Sequence, residues 1–123
     1  MVDSQSKRAV VTGGSFGLGL SLCRHLMAAD FDVLACGRSE DRLARAAAEL
    51  PGLRTLSVDI TQPSDRDRLF DAIAGAPLDL FVNNAAISRA HDYTSDFTLQ
   101  EDRARDEIET NFLAPVDLIR RFL

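Results

Sequence analysis

Four short apolar runs, each set between longer stretches with helical spacing, leave this chain little choice of architecture. That alternation reads as repeated strand–helix units around a parallel sheet. Strands are expected at residues 9–12, 32–36, 53–58 and 78–82. Leu18, Leu22, Leu26 and Ala29 mark the apolar face of a helix over 18–28. Ser39 is a natural N-cap, with Glu40 and Asp41 in the first turn, for a helix that reaches Leu50 and stops at Pro51-Gly52. Ser64 or Asp65 can cap a third helix to about Ala74, broken by Gly75-Ala76-Pro77. Residues 89–98 are polar and loop-like. From Leu99 or Gln100 to the end, Ile108, Phe112, Val116, Ile119 and Leu123 share one helical face. The expected fold is an α/β domain with four parallel strands and helices packed against them.

Composition narrows the partners. With 123 residues there is room for one domain, and 46% hydrophobic with 27% charged residues is ordinary for a globular protein. A net charge of −5 without blocks of like charge argues against a nucleic-acid backbone or an anionic membrane surface as partner. The first eight residues carry no apolar signal segment, and no window approaches the roughly 18 apolar residues of a membrane span. Cys23 and Cys36 have neither disulfide-framework nor metal spacing. No metal site is expected, and a reduced, cytoplasmic setting is.

The densest chemical signal is Thr12-Gly13-Gly14-Ser15-Phe16-Gly17-Leu18-Gly19, between the first strand and the first helix. Glycines there permit a tight turn, close approach of backbone to a pyrophosphate, and close packing of helix on strand. The free N–H groups and positive end of the helix then face the phosphates. Such a turn can also serve only as a turn; its strand–turn–helix–strand setting favours a dinucleotide site.

The spacing of Gly13, Gly17 and Gly19 resembles the TGxxxGxG fingerprint of the short-chain dehydrogenase/reductase family. Three further segments match that family in order. Asp59-Ile60-Thr61 follows the third strand, where the resemblance implies an aspartate contact with adenine. Asn83-Asn84-Ala85-Ala86 is similar to the family's NNAG, with Ala86 in place of glycine. Thr110-Asn111-Phe112 matches the asparagine of the long helix after the fourth strand. The resemblance implies a doubly wound α/β domain with four parallel strands in the order 3-2-1-4, the cofactor-binding, Rossmann-like half of an enzyme that moves a hydride between a nicotinamide and a carbonyl or alcohol. It places Gly13, Ser15, Phe16, Gly17, Leu18 and Gly19 against the cofactor. Asp59, Ile60, Asn83, Asn84, Ala85 and Ala86 join them.

Arg38 decides which nicotinamide is expected. It follows the second strand in Cys36-Gly37-Arg38, where an acidic residue would bind a ribose 2′-hydroxyl. A guanidinium instead pairs with a 2′-phosphate through two parallel hydrogen bonds, so NADP is expected ahead of NAD. Many NADP-using members of the family carry a second basic residue where this chain has Phe16.

Asn111 and Pro115 belong together. Proline has no N–H, so the carbonyl of Asn111, four residues earlier, loses its helical partner. In the family that carbonyl is said to hold a water of a proton relay to the catalytic lysine; a plain helix kink is the other reading. The family's serine and YxxxK pair would lie on a fifth strand and the next helix, beyond residue 123. The one tyrosine, Tyr93, has Phe97 four residues on, and Lys7 is the only lysine. His25 reads as a helix residue and His91 as a loop histidine.

Leu123 falls on the apolar stripe without a stop signal behind it, so the expectation is a fold cut short of its catalytic half. The alternatives are a naturally short nucleotide-binding scaffold, sensor or partner subunit, or an enzyme with remodelled chemistry. An exposed fourth-strand edge and the final apolar stripe point to a homo-oligomer, or to a second chain supplying the missing strands. The small-molecule substrate is not legible.

Overall fold

The computed structural model describes residues 6–88 and 97–123. It divides into two compact units, Met1–Ala85 and Ala86–Leu123.

The first unit holds a four-stranded parallel sheet in the order β3-β2-β1-β4. The strands are β1 (Lys7–Thr12), β2 (Phe31–Gly37), β3 (Arg54–Ser57) and β4 (Leu80–Val82). Between them run α1 (Gly17–Ala28), α2 (Glu40–Glu49) and α3 (Pro63–Ile73). The expected order of strands and their parallel pairing are both present. β1 begins two residues earlier than the apolar run, while β3 and β4 are shorter than theirs.

Strand alternation turns successive side chains to opposite faces. Ala9, Val11, Val33 and Ala35 form one buried cluster with Cys23 of α1 and Ala46 of α2. Val10 and Leu34, one residue out of phase, are buried as well. A sheet apolar on both faces is what a parallel sheet flanked by helices requires. Phe70 of α3 stacks on Phe81 of β4, with ring centroids 6.1 Å apart and planes within 3°. At the β2–β3 edge, Arg54 donates to both carboxylate oxygens of Asp32 at 2.9 Å.

Helix α3 corrects the expected start. Gln62 is its N-cap and Pro63 its first residue, not Ser64 or Asp65. Proline suits that place because its φ is already helical and the N–H it lacks would have had no partner there. Asp65 is thereby free to bond elsewhere, and its carboxylate accepts from the Asp59 N–H at 2.8 Å and from Arg68 at 3.1 Å. These two donors, the backbone one first, hold its carboxyl below the usual aspartate range.

Both cysteines are free and buried in this unit. Burial pushes the Cys23 thiol from 9.0 up to about 11. Burial, and secondarily the nearness of Cys23, pushes Cys36 up to about 12. A raised folded-state value means that the fold holds the proton more tightly than the open chain does. Stability is therefore unaffected below pH 9, then falls as pH climbs toward about 11 and 12. At pH 8 both thiols are expected to react with an aromatic disulfide reagent at least about tenfold slower than in the urea-unfolded chain. Equal rates in the two states would contradict this burial.

The second unit is helical. It comprises α4 (Phe97–Ile108), a π-helical turn (Glu109–Leu113) and α5 (Ala114–Phe122). The expected single helix starting at Leu99 or Gln100 is thus longer at its start and interrupted in its middle. Pro115 offers no N–H to the carbonyl of Asn111, and just before it the helix widens rather than simply kinking. There the Ala114 N–H reaches back five residues to the Glu109 carbonyl. Ala114 and Leu118 are buried, while Ile108, Phe112, Val116, Ile119 and Leu123 are exposed. No helix among the described residues is long and apolar enough to cross a membrane.

Candidate functional site

The residues singled out in the first unit fall at one edge of the sheet because of its order. The glycine turn leaves the carboxyl end of β1, Arg38 that of β2, Asp59 and Ile60 that of β3, and Asn83 to Ala85 that of β4. Since the strands are parallel and adjacent, four segments distant in sequence share one rim. Rims of this kind are where doubly wound sheets take ligands.

The glycine turn is tight for identifiable reasons. Gly13 has φ +65°, and a Cβ on it would meet Ala85 Cα at 3.0 Å. A Cβ on Gly19 would stand 2.0 Å from the Gly13 carbonyl oxygen and 2.6 Å from Asn84 Nδ2. Gly17, φ +57°, has open space where a Cβ would be. Ser15 is buried, whereas Phe16 and Leu18 are exposed.

Two helix starts in this unit contrast. Ser39 caps α2, accepting from the Arg42 N–H at 3.2 Å, and Glu40 and Asp41 stand in its first turn. The N-cap of α1 is Phe16, which offers no side-chain acceptor, and the first turn of α1 contains no acid. The positive end of α1 is therefore left uncompensated beside the open face of Gly17.

One side chain ties the rim together. Thr12, at the end of β1, is buried. Its Oγ1 accepts from the Asn84 N–H at 3.0 Å and the Ala85 N–H at 3.1 Å, and it donates to the Val82 carbonyl at 3.3 Å. Asn84 Nδ2 in turn donates to the Gly13 carbonyl at 3.1 Å. The glycine turn and the segment after β4 are thereby locked together.

Arg38 is exposed, and its guanidinium has no acceptor among the described residues. Its own carbonyl accepts from Ser57 Oγ at 3.3 Å. Asp59 Oδ1 accepts from both the Thr61 N–H at 3.0 Å and the Thr61 hydroxyl at 2.7 Å. That oxygen shapes its own turn before it meets any ligand. Ile60 is a buried side chain, and Asn83 is exposed.

Ala86 and Asn111 belong to the second unit. There Asn111, inside the π-turn, makes a two-way clamp on Ile87: its Oδ1 accepts from the Ile87 N–H at 2.8 Å and its Nδ2 donates to the Ile87 carbonyl at 2.7 Å. His91 and Tyr93 lie outside the described residues. His25, on α1, meets the Ser21 carbonyl through Nδ1, 2.7 Å away, a helix contact and nothing more. Among the described residues no cluster of histidine, cysteine or acidic side chains could hold a metal.

Two participants are not evident from the sequence. Thr12 reads there as the end of the strand and the first residue of the glycine fingerprint, with no part assigned to its hydroxyl; a polar residue closing an apolar strand is the signal that points to it. Arg42 lies over the Phe16 ring, 4.4 Å from its centroid. No local pattern in the sequence points to that contact.

Known proteins agree with this geometry. The short chain dehydrogenase family profile matches residues 7–123. The chain is 41% identical over 115 residues to an uncharacterized oxidoreductase, DltE, of Bacillus subtilis, covering 92% of this chain and 45% of that protein. An actinorhodin polyketide ketoreductase solved with NADPH superposes with a TM-score of 0.87 at 25% identity, over 100% of this chain and 48% of the other. The NADP complex of RhlG from Pseudomonas aeruginosa superposes at 0.82 and 26% identity, over 94% of this chain and 46% of that one. The chain thus spans a little under half the length of each of these three proteins. With the fingerprint at the rim, the strand order and the profile match in agreement, the chain belongs to the short-chain dehydrogenase/reductase family.

Proposed function

We propose that the chain is the NADP-binding portion of an oxidoreductase that transfers hydride between the nicotinamide and a carbonyl or alcohol. The observation that carries the reading is the uncompensated positive start of α1 beside the open Gly17, with the unpaired Arg38 on the neighbouring strand end. The residues present fit a dinucleotide. A Cβ-free, left-handed Gly17 lets backbone approach a pyrophosphate, and the first N–H groups of α1 can donate to it. When bound, the nicotinamide supplies or accepts the hydride. The chain's own part is to orient it, with Arg38 donating to a 2′-phosphate and Asp59 standing at the adenine end. Two solved relatives named with NADP or NADPH support this choice of cofactor.

Titration of the 123-residue chain with NADPH and NADH tests the reading. NADPH is expected to bind more tightly, and Arg38→Ala to lose roughly tenfold to a hundredfold of NADPH affinity, the worth of charge-assisted hydrogen bonds. NADH affinity should stay nearly level. An unchanged preference in Arg38→Ala would remove the 2′-phosphate from Arg38.

A further inference from the structure

Asp65 is the third residue of α3, the place from which an acid ordinarily turns back to the N–H of the N-cap. Here the Gln62 N–H goes instead to the Asp59 carbonyl, at 3.0 Å. The Asp65 carboxylate passes over the cap and accepts from the Asp59 N–H at 2.8 Å, six residues back. Its neighbours on α3 hold the rest of that segment. Arg66 donates to the Ile60 carbonyl at 2.7 Å, and Arg68 to the Ser57 carbonyl at 3.2 Å. Arg68 also donates to the other oxygen of Asp65 at 3.1 Å, which fixes the direction of that carboxylate.

Three side chains of one helix thus occupy the backbone of the β3 exit, and what they leave is specific. The Val58 N–H is taken by the Gly37 carbonyl at 2.9 Å, and the Thr61 N–H by Asp59 Oδ1 at 3.0 Å. Among the described residues, the Ile60 N–H and Asp59 Oδ2 are left without a protein partner. One is a donor and the other an acceptor, on consecutive residues. Adenine presents the converse, a ring nitrogen that accepts beside an amino group that donates. Hypoxanthine, with an oxo group and a protonated ring nitrogen there, sets donor against donor and acceptor against acceptor.

We infer that Asp65 is a positioning residue for base recognition: by holding the Asp59 N–H, it keeps Asp59 Oδ2 and the Ile60 N–H aligned as a matched pair for adenine. Asp65 itself touches no ligand. The inference rests on the NADP reading above and adds to it a residue that acts from behind the site. Without Asp65 the Asp59 N–H must find another acceptor, so the turn re-forms and the two free groups lose their alignment.

The test titrates NADPH and its hypoxanthine analogue, alike except at that edge of the base, into the full chain, followed by nicotinamide fluorescence. The unaltered chain is expected to bind NADPH at least about tenfold more tightly than the analogue. Asp65→Ala is expected to weaken NADPH about tenfold and to leave the analogue within about twofold, which also shows that the variant is folded. Asp65→Asn keeps an oxygen for the Asp59 N–H and is expected to retain most of the preference. If Asp65→Ala leaves the preference intact, or weakens both nucleotides equally, Asp65 only steadies the helix and the inference falls, while the NADP reading stands. The inference also falls if Asp65→Asn does no better than Asp65→Ala, or if the unaltered chain binds NADPH without preferring it to the analogue. If neither nucleotide binds, the NADP reading fails and takes the inference with it.

Discussion

Gly19→Ala is expected to cost the fold about 3 kcal/mol or more, seen as a fall in Tm of roughly 10 °C or more. The single added carbon would lie 2.0 Å from the Gly13 carbonyl oxygen and 2.6 Å from Asn84 Nδ2. Neither is the yielding tip of a flexible side chain: Gly13 is backbone, and Asn84 is held by its bond to that same carbonyl. The helix would have to move off the turn, and the rim would open. Gly17→Ala is the control, because its new carbon meets nothing within 4 Å. It should lose only about 1–2 kcal/mol for the left-handed backbone yet bind nucleotide poorly, since the methyl occupies the open side. Thermal unfolding of the two variants checks the contrast. Equal, small losses would mean that α1 does not press closely on the turn.

Thr12→Val should be the second large loss. The two side chains are close in size, so packing changes little and the hydroxyl alone is removed. Asn84 N–H keeps a second acceptor, the Val82 carbonyl at 3.1 Å, but Ala85 N–H loses its 3.1 Å bond to the hydroxyl. A part-buried donor without an acceptor costs about 1–3 kcal/mol, and about 2 kcal/mol is expected here. Thr12→Ser retains the oxygen and should recover most of it. Urea denaturation with unchanged slope is the appropriate measurement. If Ser and Val variants prove equally unstable, the methyl matters and the hydroxyl hub does not.

The pair also marks the limit of what residues alone reveal. Apolar runs and glycine punctuation suffice for four parallel strands, because burial on both faces of a parallel sheet leaves its mark at every strand position, while their order is what the family resemblance implies. The rim follows, since adjacent parallel strands necessarily present their carboxyl ends together. Contacts that depend on a side chain's direction are out of reach. Thr12 bonding across to Ala85, or Arg42 settling on Phe16, joins residues 73 and 26 positions apart, and no local pattern encodes either. The π-turn is half visible: Pro115 announces a lost hydrogen bond, but whether a helix answers by bending or by widening depends on the packing around it. The start of α3 differs for a simpler reason. Serine and aspartate stand out as caps, while proline at the first helical position carries the same information.

The strand register sets a ruler across the rim. Thr12 is level with Cys36, Gly37 with Ser57, and Val11 with Val82, so the four exits stand nearly flush. Three gaps of about 4.8 Å then separate the outermost exits by about 14 Å. A molecule touching both Asp59 and Asn84 must bridge most of that distance, and be narrow enough to pass the glycine turn, one strand in from the Asn84 end. Compact ligands, however tightly held at one exit, leave the rest of the span wet. Selectivity here is therefore partly a matter of reach, settled by backbone spacing before any side chain is consulted.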